Sequence, residues 1–170
     1  MAGERVMVFS VGDVFPDVPD GLASFEPLRP LLRKADIVFG NCEGVYSDRP
    51  SRAPSHKHFN GAPRERGDFL GEVPFHVMSA ANNHMIDGGY EGLADTLELL
   101  RSQGIATTGA VASAMSMPAP AILERGGIRV AFLGFCTVYP VGYEARADRP
   151  GLAPLRVRTY YGDPDPNFWE

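Results

Sequence analysis

Two amides, an imidazole, a carboxylate and two glycines lie close together in residues 82–89. An apolar run over residues 73–78 precedes them, and a run with helical spacing over residues 90–103 follows. This order predicts a buried strand, a polar loop and the start of a helix. Because open α/β sheets bind ligands at the carboxyl ends of their strands, the loop is the predicted centre of the functional site.

Two more predicted strands lead into a carboxylate. The first apolar run of the chain leads into Asp13, and the second leads into Glu43. Adjacent parallel strands bring their carboxyl ends to one edge of a sheet, which would gather Asp13, Glu43 and the Asn83-His84 pair. Two carboxylates, an amide oxygen and an imidazole suit a divalent cation such as Mn, Fe, Zn or Mg, which can activate a bound water. His84 is then placed to protonate a leaving group.

Each of these residues also has an ordinary structural explanation when it is considered alone. Asp13 and Glu43 are typical of turns and helix caps, and two consecutive asparagines are typical of turns. A single histidine after a strand is more often a packed or surface residue. The recurrence of such residues after three separate strands is what favours a site, and both interpretations stay open on the residues alone.

The composition is that of one soluble globular domain. The chain has 170 residues, of which 44% are hydrophobic and 22% charged, enough for one core and too few for two domains. A net charge of −5 with scattered basic residues argues against nucleic-acid binding. No apolar run is long enough to span a bilayer, and no signal peptide precedes the first strand. We therefore expect a cytoplasmic protein whose two cysteines are reduced and buried.

Strand and helix patterns alternate along most of the chain, which predicts an α/β fold with a mostly parallel central sheet. The predicted strands are residues 6–11, 36–39, 73–80 and 105–109, followed by a hairpin over residues 120–135. The predicted helices are residues 25–35, 64–71 and 90–103, and Pro30 is expected to make the first of them start late or kink. Residues 1–136 form the expected core, and residues 137–170 are expected to be an irregular, truncated tail of the same domain, rich in Pro and Tyr.

Five motifs, taken in order, make the chain resemble a known family. They are Val11-Gly12-Asp13, Asn41-Cys42-Glu43, Ala81-Asn82-Asn83-His84-Met85-Ile86-Asp87-Gly88, Asp95-Thr96-Leu97 and Val130-Ala131-Phe132-Leu133-Gly134. The succession is similar to the capsule-synthesis CapA family, which is associated with poly-γ-glutamate and belongs to the calcineurin-like metallophosphoesterase superfamily. The resemblance implies a partial, layered α/β sandwich of the metallophosphoesterase type, with this chain covering the N-terminal portion.

The resemblance also implies roles for individual residues. Asp13, Glu43 and Asn83 take the positions of metal ligands, His84 that of the proton donor, and Asp87 that of a residue orienting His84. The superfamily has Asp-x-His in its first motif, whereas Phe15 stands at the histidine position here, so one ligand is missing. The later metal histidines of the superfamily are expected outside this chain, so a dinuclear centre needs residues from elsewhere.

A long polar loop over residues 47–63 carries further candidates for substrate binding. Its cationic side chains and histidines are Arg49, Arg52, His56, Lys57 and His58. They suit an anionic small molecule or a polyglutamate-like substrate, with Lys57 and His58 as predicted contacts together with the amides of Asn41 and Asn82. The alternative is a solvated surface loop without a ligand.

Two functions of different classes follow from these observations. The first is a metal-dependent hydrolase of phosphoester or amide bonds, with His84 as general acid, linked to capsule or polyglutamate metabolism. The second is a non-catalytic assembly or binding component of a capsule pathway, which the absence of a histidine at Phe15 favours. A homo-oligomer or a complementing chain is compatible with either. A Rossmann-type nucleotide binder is disfavoured, because no GxGxxG motif follows the first strand and no P-loop occurs.

Overall fold

The chain folds as short strands alternating with turns and one long helix, and the computed structural model describes residues 5–49 and 59–157. In chain order the strands are β1 (Val8–Val14), β2 (Ile37–Cys42), β3 (Val45–Tyr46), β4 (Gly61–Ala62), β5 (Val77–Ser79), β6 (Ala106–Thr108), β7 (Ala110–Val111), β8 (Ala121–Arg125), β9 (Ile128–Phe132) and β10 (Gly151–Leu152). The α-helices are α1 (Arg29–Leu32) and α2 (Gly89–Ser102), and 3₁₀-helices span Leu22–Ser24 and Arg64–Gly71.

A four-stranded sheet in the order β1-β2-β5-β6 forms the centre of the fold, and all of its neighbouring strands pair in parallel. The predicted α/β class with a mostly parallel central sheet is therefore confirmed. The other strands form three two-stranded sheets, parallel for β3 with β4 and antiparallel for β7 with β10 and β8 with β9. None of the helices in the described residues combines the length and the apolar character needed to cross a membrane.

Helix α2 begins directly after the polar loop and confirms the helix expected there. Leu93, Leu97 and Leu100 are buried on one stripe of the helix, as their spacing predicts. Just past its end, Gly104 has a φ of +77°, a left-handed conformation that glycine adopts without steric cost. Packing of α2 against β3 and β6 fixes where the polar loop ends relative to the sheet.

Two elements are shorter than their apolar patterns, and proline is the reason in both. The helix patterned over residues 25–35 is limited to the four-residue α1, which begins late, at Arg29, as expected because the N–H that Pro30 lacks is not needed in a first turn. The expected strand over residues 73–80 is limited to Val77–Ser79. Pro74 cannot donate to a ladder, and the Phe75 N–H instead bonds the Val73 carbonyl at 2.7 Å.

A β-bulge in β1 decides which residue of that strand faces β2. Ser10 pairs with Phe39 and Asp13 pairs with Asn41, so β1 uses one residue more than β2 over the same distance. Such an extra residue re-aims the side chains that follow it. With regular pairing Gly12 would stand opposite Asn41, and the bulge brings Asp13 there instead.

His76, immediately before β5, stabilises β2 through its neutral form. Its Nδ1 accepts a hydrogen bond from the Val38 N–H at 3.0 Å, which requires an unprotonated nitrogen. Burial, reinforced by the Arg125 charge, lowers the pKa of His76 below the ordinary 6.5. His76 therefore takes up a proton more readily in the unfolded chain than in the folded chain. As the pH falls below 6.5, the contribution of His76 to the free energy of unfolding is lost.

We expect His76→Asn to flatten the pH dependence of stability. The asparagine Oδ1 can accept from Val38 but does not titrate, so the variant should stay within about 1 kcal/mol of the wild type at neutral pH. The free energy of unfolding should then fall less than in the wild type between about pH 7.5 and pH 5.5, as measured by urea denaturation. If the free energy of unfolding fell equally with pH in the two proteins, this explanation would be contradicted.

Candidate functional site

The carboxyl ends of β1 and β2 bring two carboxylates to one amide. Asn41 Nδ2 donates to Asp13 Oδ1 at 2.8 Å and to Glu43 Oε2 at 2.7 Å. The geometry follows from the backbone, because Asn41 is the register partner of Asp13 and lies two residues before Glu43 on extended chain. The Glu43 N–H continues the ladder by donating to the Val14 carbonyl at 3.2 Å. Two negative groups from different strands thus meet at the sheet edge.

The ionisation of Glu43 is affected both by its burial and by its neighbours. Partial burial raises the pKa of Glu43 above its ordinary value, and the nearby Asp13 carboxylate raises it further. The neighbouring His84 and the hydrogen bond from Asn41 act in the opposite direction. A half-buried acidic group in this environment gains more from a positive partner than an exposed carboxylate does.

The loop after β5 is fastened to the end of β2 through Asn82. This side chain is only 6% exposed, its Nδ2 donates to the Cys42 carbonyl, and its Oδ1 accepts the His84 N–H at 2.9 Å. The amino group and the carbonyl oxygen of this amide therefore both bind main-chain atoms. The structure places Asn82 as a brace for the loop that carries Asn83 and His84, and its expected contact with substrate stays a prediction.

His84 is held between two carboxylates. Its Nδ1 lies 2.8 Å from Asp87 Oδ2, and its Nε2 lies 4.0 Å from Glu43 Oε1. Asp87 is 1% exposed, and the same Oδ2 also accepts the Asn60 N–H at 2.9 Å. The arrangement fixes the ring through Nδ1 and leaves Nε2 directed toward Glu43, as an acid or base facing a reacting group requires.

Phe15, at the position where the superfamily motif has a histidine, serves packing. Its ring lies 5.3 Å from the ring of Tyr46, centroid to centroid, and covers Gly44 so closely that a Cβ there would come within 2.4 Å. Cys42 is fully buried, and burial raises the pKa of its thiol to about 12, so the free thiol is protonated at neutral pH. Oxygen and imidazole groups are thus the donors that the described site offers.

The described residues do not complete a metal site, so the predicted cation stays a prediction. Within residues 5–49 and 59–157, no three His, Cys, Asp or Glu side chains are grouped as a metal site would require. Asp13 and Glu43 are brought together, and His84 approaches Glu43. Asn83 lies half-buried in the loop between Asn82 and His84, and its role as a ligand stays a prediction. Carboxylate oxygens are the ligands that Mg and Mn prefer.

The polar loop over residues 47–63 is described only at its two ends. Arg49 bonds Asp95 of α2 through Nε at 2.8 Å and through a second, shorter contact, so its charge is already paired. Arg52, His56, Lys57 and His58 lie outside the described residues, and their expected contacts with substrate stay predictions. Because Asn60 binds Asp87 through its backbone, the downstream end of the loop reaches the His84 side of the site.

Some contributors to the site carried no signal in the sequence. Asn60 acts through its backbone N–H and the Cys42 carbonyl is likewise a main-chain group, so residue type does not reveal either. The bridging position of Asn41 did carry a signal, since Asn41 and Glu43 are two residues apart and share one strand face.

Beside Asp13 the site opens into a groove of about 360 Å³ whose walls include Phe15, Phe25 and Leu28.

Comparison with known proteins gives the family context. The family model described as bacterial capsule synthesis protein PGA_cap matches residues 3–165. An uncharacterized protein, y4uA of Sinorhizobium fredii, is 35% identical over 92% of this chain and 37% of its own length. The PGA biosynthesis protein CapA of Bacillus subtilis is 30% identical over 76% of this chain and 35% of its own length. The capsule biosynthesis protein CapA of Bacillus anthracis is 29% identical over 75% of this chain and 32% of its own length. This chain thus spans about a third of these relatives.

Asp87 should be the side chain of the site that matters most for stability. Asp87→Ala leaves both the Asn60 N–H and the His84 ring without their shared acceptor, so we expect a loss of about 1–3 kcal/mol in the free energy of unfolding. Urea denaturation measures this value. Asp68→Ala, which removes an exposed carboxylate, should change it by less than about 0.5 kcal/mol. If the two variants lost the same stability, Asp87 would not be the anchor described here.

Proposed function

The chain belongs to the bacterial capsule synthesis PGA_cap family, and on that premise we propose that it is a metal-dependent hydrolase acting on a phosphoester or amide bond in capsule or polyglutamate metabolism. The observation that carries this proposal is the position of His84. Its ring is fixed by Asp87 on one side and approaches Glu43, one member of the carboxylate pair, on the other. A packed histidine has no need of that arrangement.

In the proposed mechanism Asp13, Glu43 and Asn83 would hold a divalent cation such as Mn, Fe, Zn or Mg. The chemistry that such a cation would supply when bound is an activated water and polarisation of the substrate. Asp87 accepts a hydrogen bond from Nδ1 of His84, which keeps the ring aligned and leaves Nε2 to carry the transferred proton. As the bond to the leaving group breaks, Nε2 gives its proton to the departing oxygen or nitrogen.

The proposed substrate is anionic, either a small phosphoester or a polyglutamate-like chain. Two observations support this class: the family is named for capsule synthesis, and two relatives are named for PGA or capsule biosynthesis. Lys57 and His58 are the proposed contacts for its negative groups, and the groove beside Asp13 gives it access from solvent.

A second candidate function is a non-catalytic accessory component of a capsule pathway. Phe15 favours it, because the ring at this position packs against Tyr46 and cannot bind a cation. The absence of a group of three His, Cys, Asp or Glu ligands in the described residues favours it as well. In that case the polar network would hold the loop after β5 in place without turnover.

Metal content separates these two candidates. We expect near-stoichiometric Mn or Zn in the purified protein by elemental analysis, and its loss in Asp13→Ala and Asn83→Ala, because each variant removes an oxygen ligand. His76→Asn removes a histidine at the opposite end of β5 and should keep the metal. Metal-free wild type that binds no added Mn would favour the accessory function.

Turnover of a generic aryl phosphate tests the role of His84. With Mn present, we expect His84→Gln to lower kcat by about 10²- to 10⁴-fold, the range typical of a lost general acid. The change in KM should be much smaller, because the imidazole acts on the leaving group rather than in binding. His76→Asn is the matched control and should turn over normally. Full activity in His84→Gln would remove the proposed acid.

A further inference from the structure

We propose that Asp95 of α2 is a positioning residue for His84, which it restrains through hydrogen bonds along the β3–β4 ribbon, residues 45–47 and 60–62. Asp95 belongs to the Asp95-Thr96-Leu97 motif, to which the proposed reaction assigns no part. This role rests on the proposed function of His84 as general acid. It needs no cation, because every link joins side chains and main-chain groups of the chain itself.

Asp95 binds the end of β3 and the residues that follow the ribbon. Its side chain is only 16% exposed, and its Oδ2 accepts hydrogen bonds from Ser47 Oγ at 2.5 Å and from Arg49 Nε at 2.8 Å. Arg64 Nη1 donates to the main-chain carbonyl of Asp95 at 3.0 Å. The hydrogen bond from Arg49 lowers the pKa of Asp95 below its ordinary value, so the carboxylate is charged at neutral pH. A charged acceptor with several donors fixes geometry better than an exposed ion pair does.

The ribbon depends on α2 because it is too short to be stable by itself. Each of its strands has two residues, and isolated two-stranded ribbons are marginal in water even when they are longer. On α2, Thr96 Oγ1 accepts the Tyr46 N–H at 2.9 Å. Val45 lies so close to the helix that a Cβ on Gly92 would come within 2.8 Å of it. Loss of an anchor on α2 should therefore loosen the ribbon and leave the central sheet intact.

Main-chain hydrogen bonds carry this restraint from the ribbon to His84. The Ser47 N–H donates to the Ala62 carbonyl at 3.0 Å, which joins the end of β3 to β4. Just before β4, the Asn60 N–H donates at 2.9 Å to Asp87 Oδ2, and the same oxygen lies 2.8 Å from His84 Nδ1. The acceptor that orients the imidazole is thus itself held by the ribbon. A ribbon that moves would release Asp87 and allow the ring to turn.

Amide hydrogen exchange tests the first half of this link without any substrate. Asp95→Ala removes the carboxylate and places a strong helix former in α2, so the helix should persist. We expect the Asn60 N–H to exchange about tenfold faster than in the wild type, as measured by NMR, because its support is lost. The N–H of Met78, in the buried centre of β5, should change by less than about twofold. A general loss of stability would accelerate both amides.

The ring of His84 tests the second half. At about pH 8.5, where imidazoles are neutral, ¹⁵N NMR should show the proton on Nδ1 of His84 in the wild type and shared with Nε2 in Asp95→Ala. With Mn and the aryl phosphate, kcat should fall about tenfold and KM should hardly change, since a displaced acid affects the transition state rather than binding. Asp95→Glu keeps the carboxylate and should restore both values in part. Added to His84→Gln, Asp95→Ala should lower kcat no further.

Asp36→Ala is the matched control. Asp36 also holds the main chain through its carboxylate, since its Oδ2 accepts the Met7 N–H at 2.8 Å, but it lies at the start of β2, away from the strand ends of the site. This variant should leave the exchange of Asn60, the ring of His84 and kcat as they are in the wild type.

Any of three results would overturn the positioning role. They are an unchanged Asn60 exchange or His84 ring in Asp95→Ala, equal changes in Asp36→Ala, and a kcat that falls equally with and without His84. Asp95→Asn replaces the alanine variant if that protein does not fold. A wild type without turnover would refute the proposed hydrolase, and the exchange and ring measurements would still decide whether Asp95 positions His84.

Discussion

The parallel register of β1, β2 and β5 is the constraint on which the candidate site depends. Backbone hydrogen bonds place Asp13 beside Asn41, and Asn41 beside Ser79 at the point where the loop to His84 begins. Carboxylates repel one another, so the ladder of the sheet rather than the polar groups themselves supplies the free energy that keeps them close. The polar groups then reduce the cost of that proximity through the amide of Asn41.

A second network supports the site from the side of α2. Asp87 joins the loop after β5 to Asn60, and Val45 of β3 donates its N–H to the Asn60 carbonyl at 2.9 Å. Thr96 of α2 accepts the Tyr46 N–H at 2.9 Å. The imidazole of His84 is therefore positioned by main-chain and helix contacts that do not involve the carboxylate pair. Two independent supports meet at the 4.0 Å approach of His84 to Glu43.

Periodicity and the order of polar residues were enough to predict the sheet, α2 and the strand ends that carry Asp13 and Glu43. They were not enough to predict the length of α1, because the effect of Pro30 depends on where the helix begins. Nor could residue type show that Asn82 binds backbone on both sides, since an exposed and a buried asparagine look alike in sequence. The link from Asp87 to Asn60 spans 27 residues and involves a main-chain donor, so only the folded chain reveals it.

The bulge in β1 has a consequence for anyone who would transplant this site. In a regular strand of the same sequence Gly12 would lie opposite Asn41. The carboxylate of Asp13 would then point to the opposite face of the sheet. The extra residue shifts the register of β1 by one position, and this shift does not depend on which side chains follow it. Grafting the carboxylates and the amide onto an ideal parallel sheet would reproduce the residue types and lose the geometry, unless the irregular backbone step were copied with them.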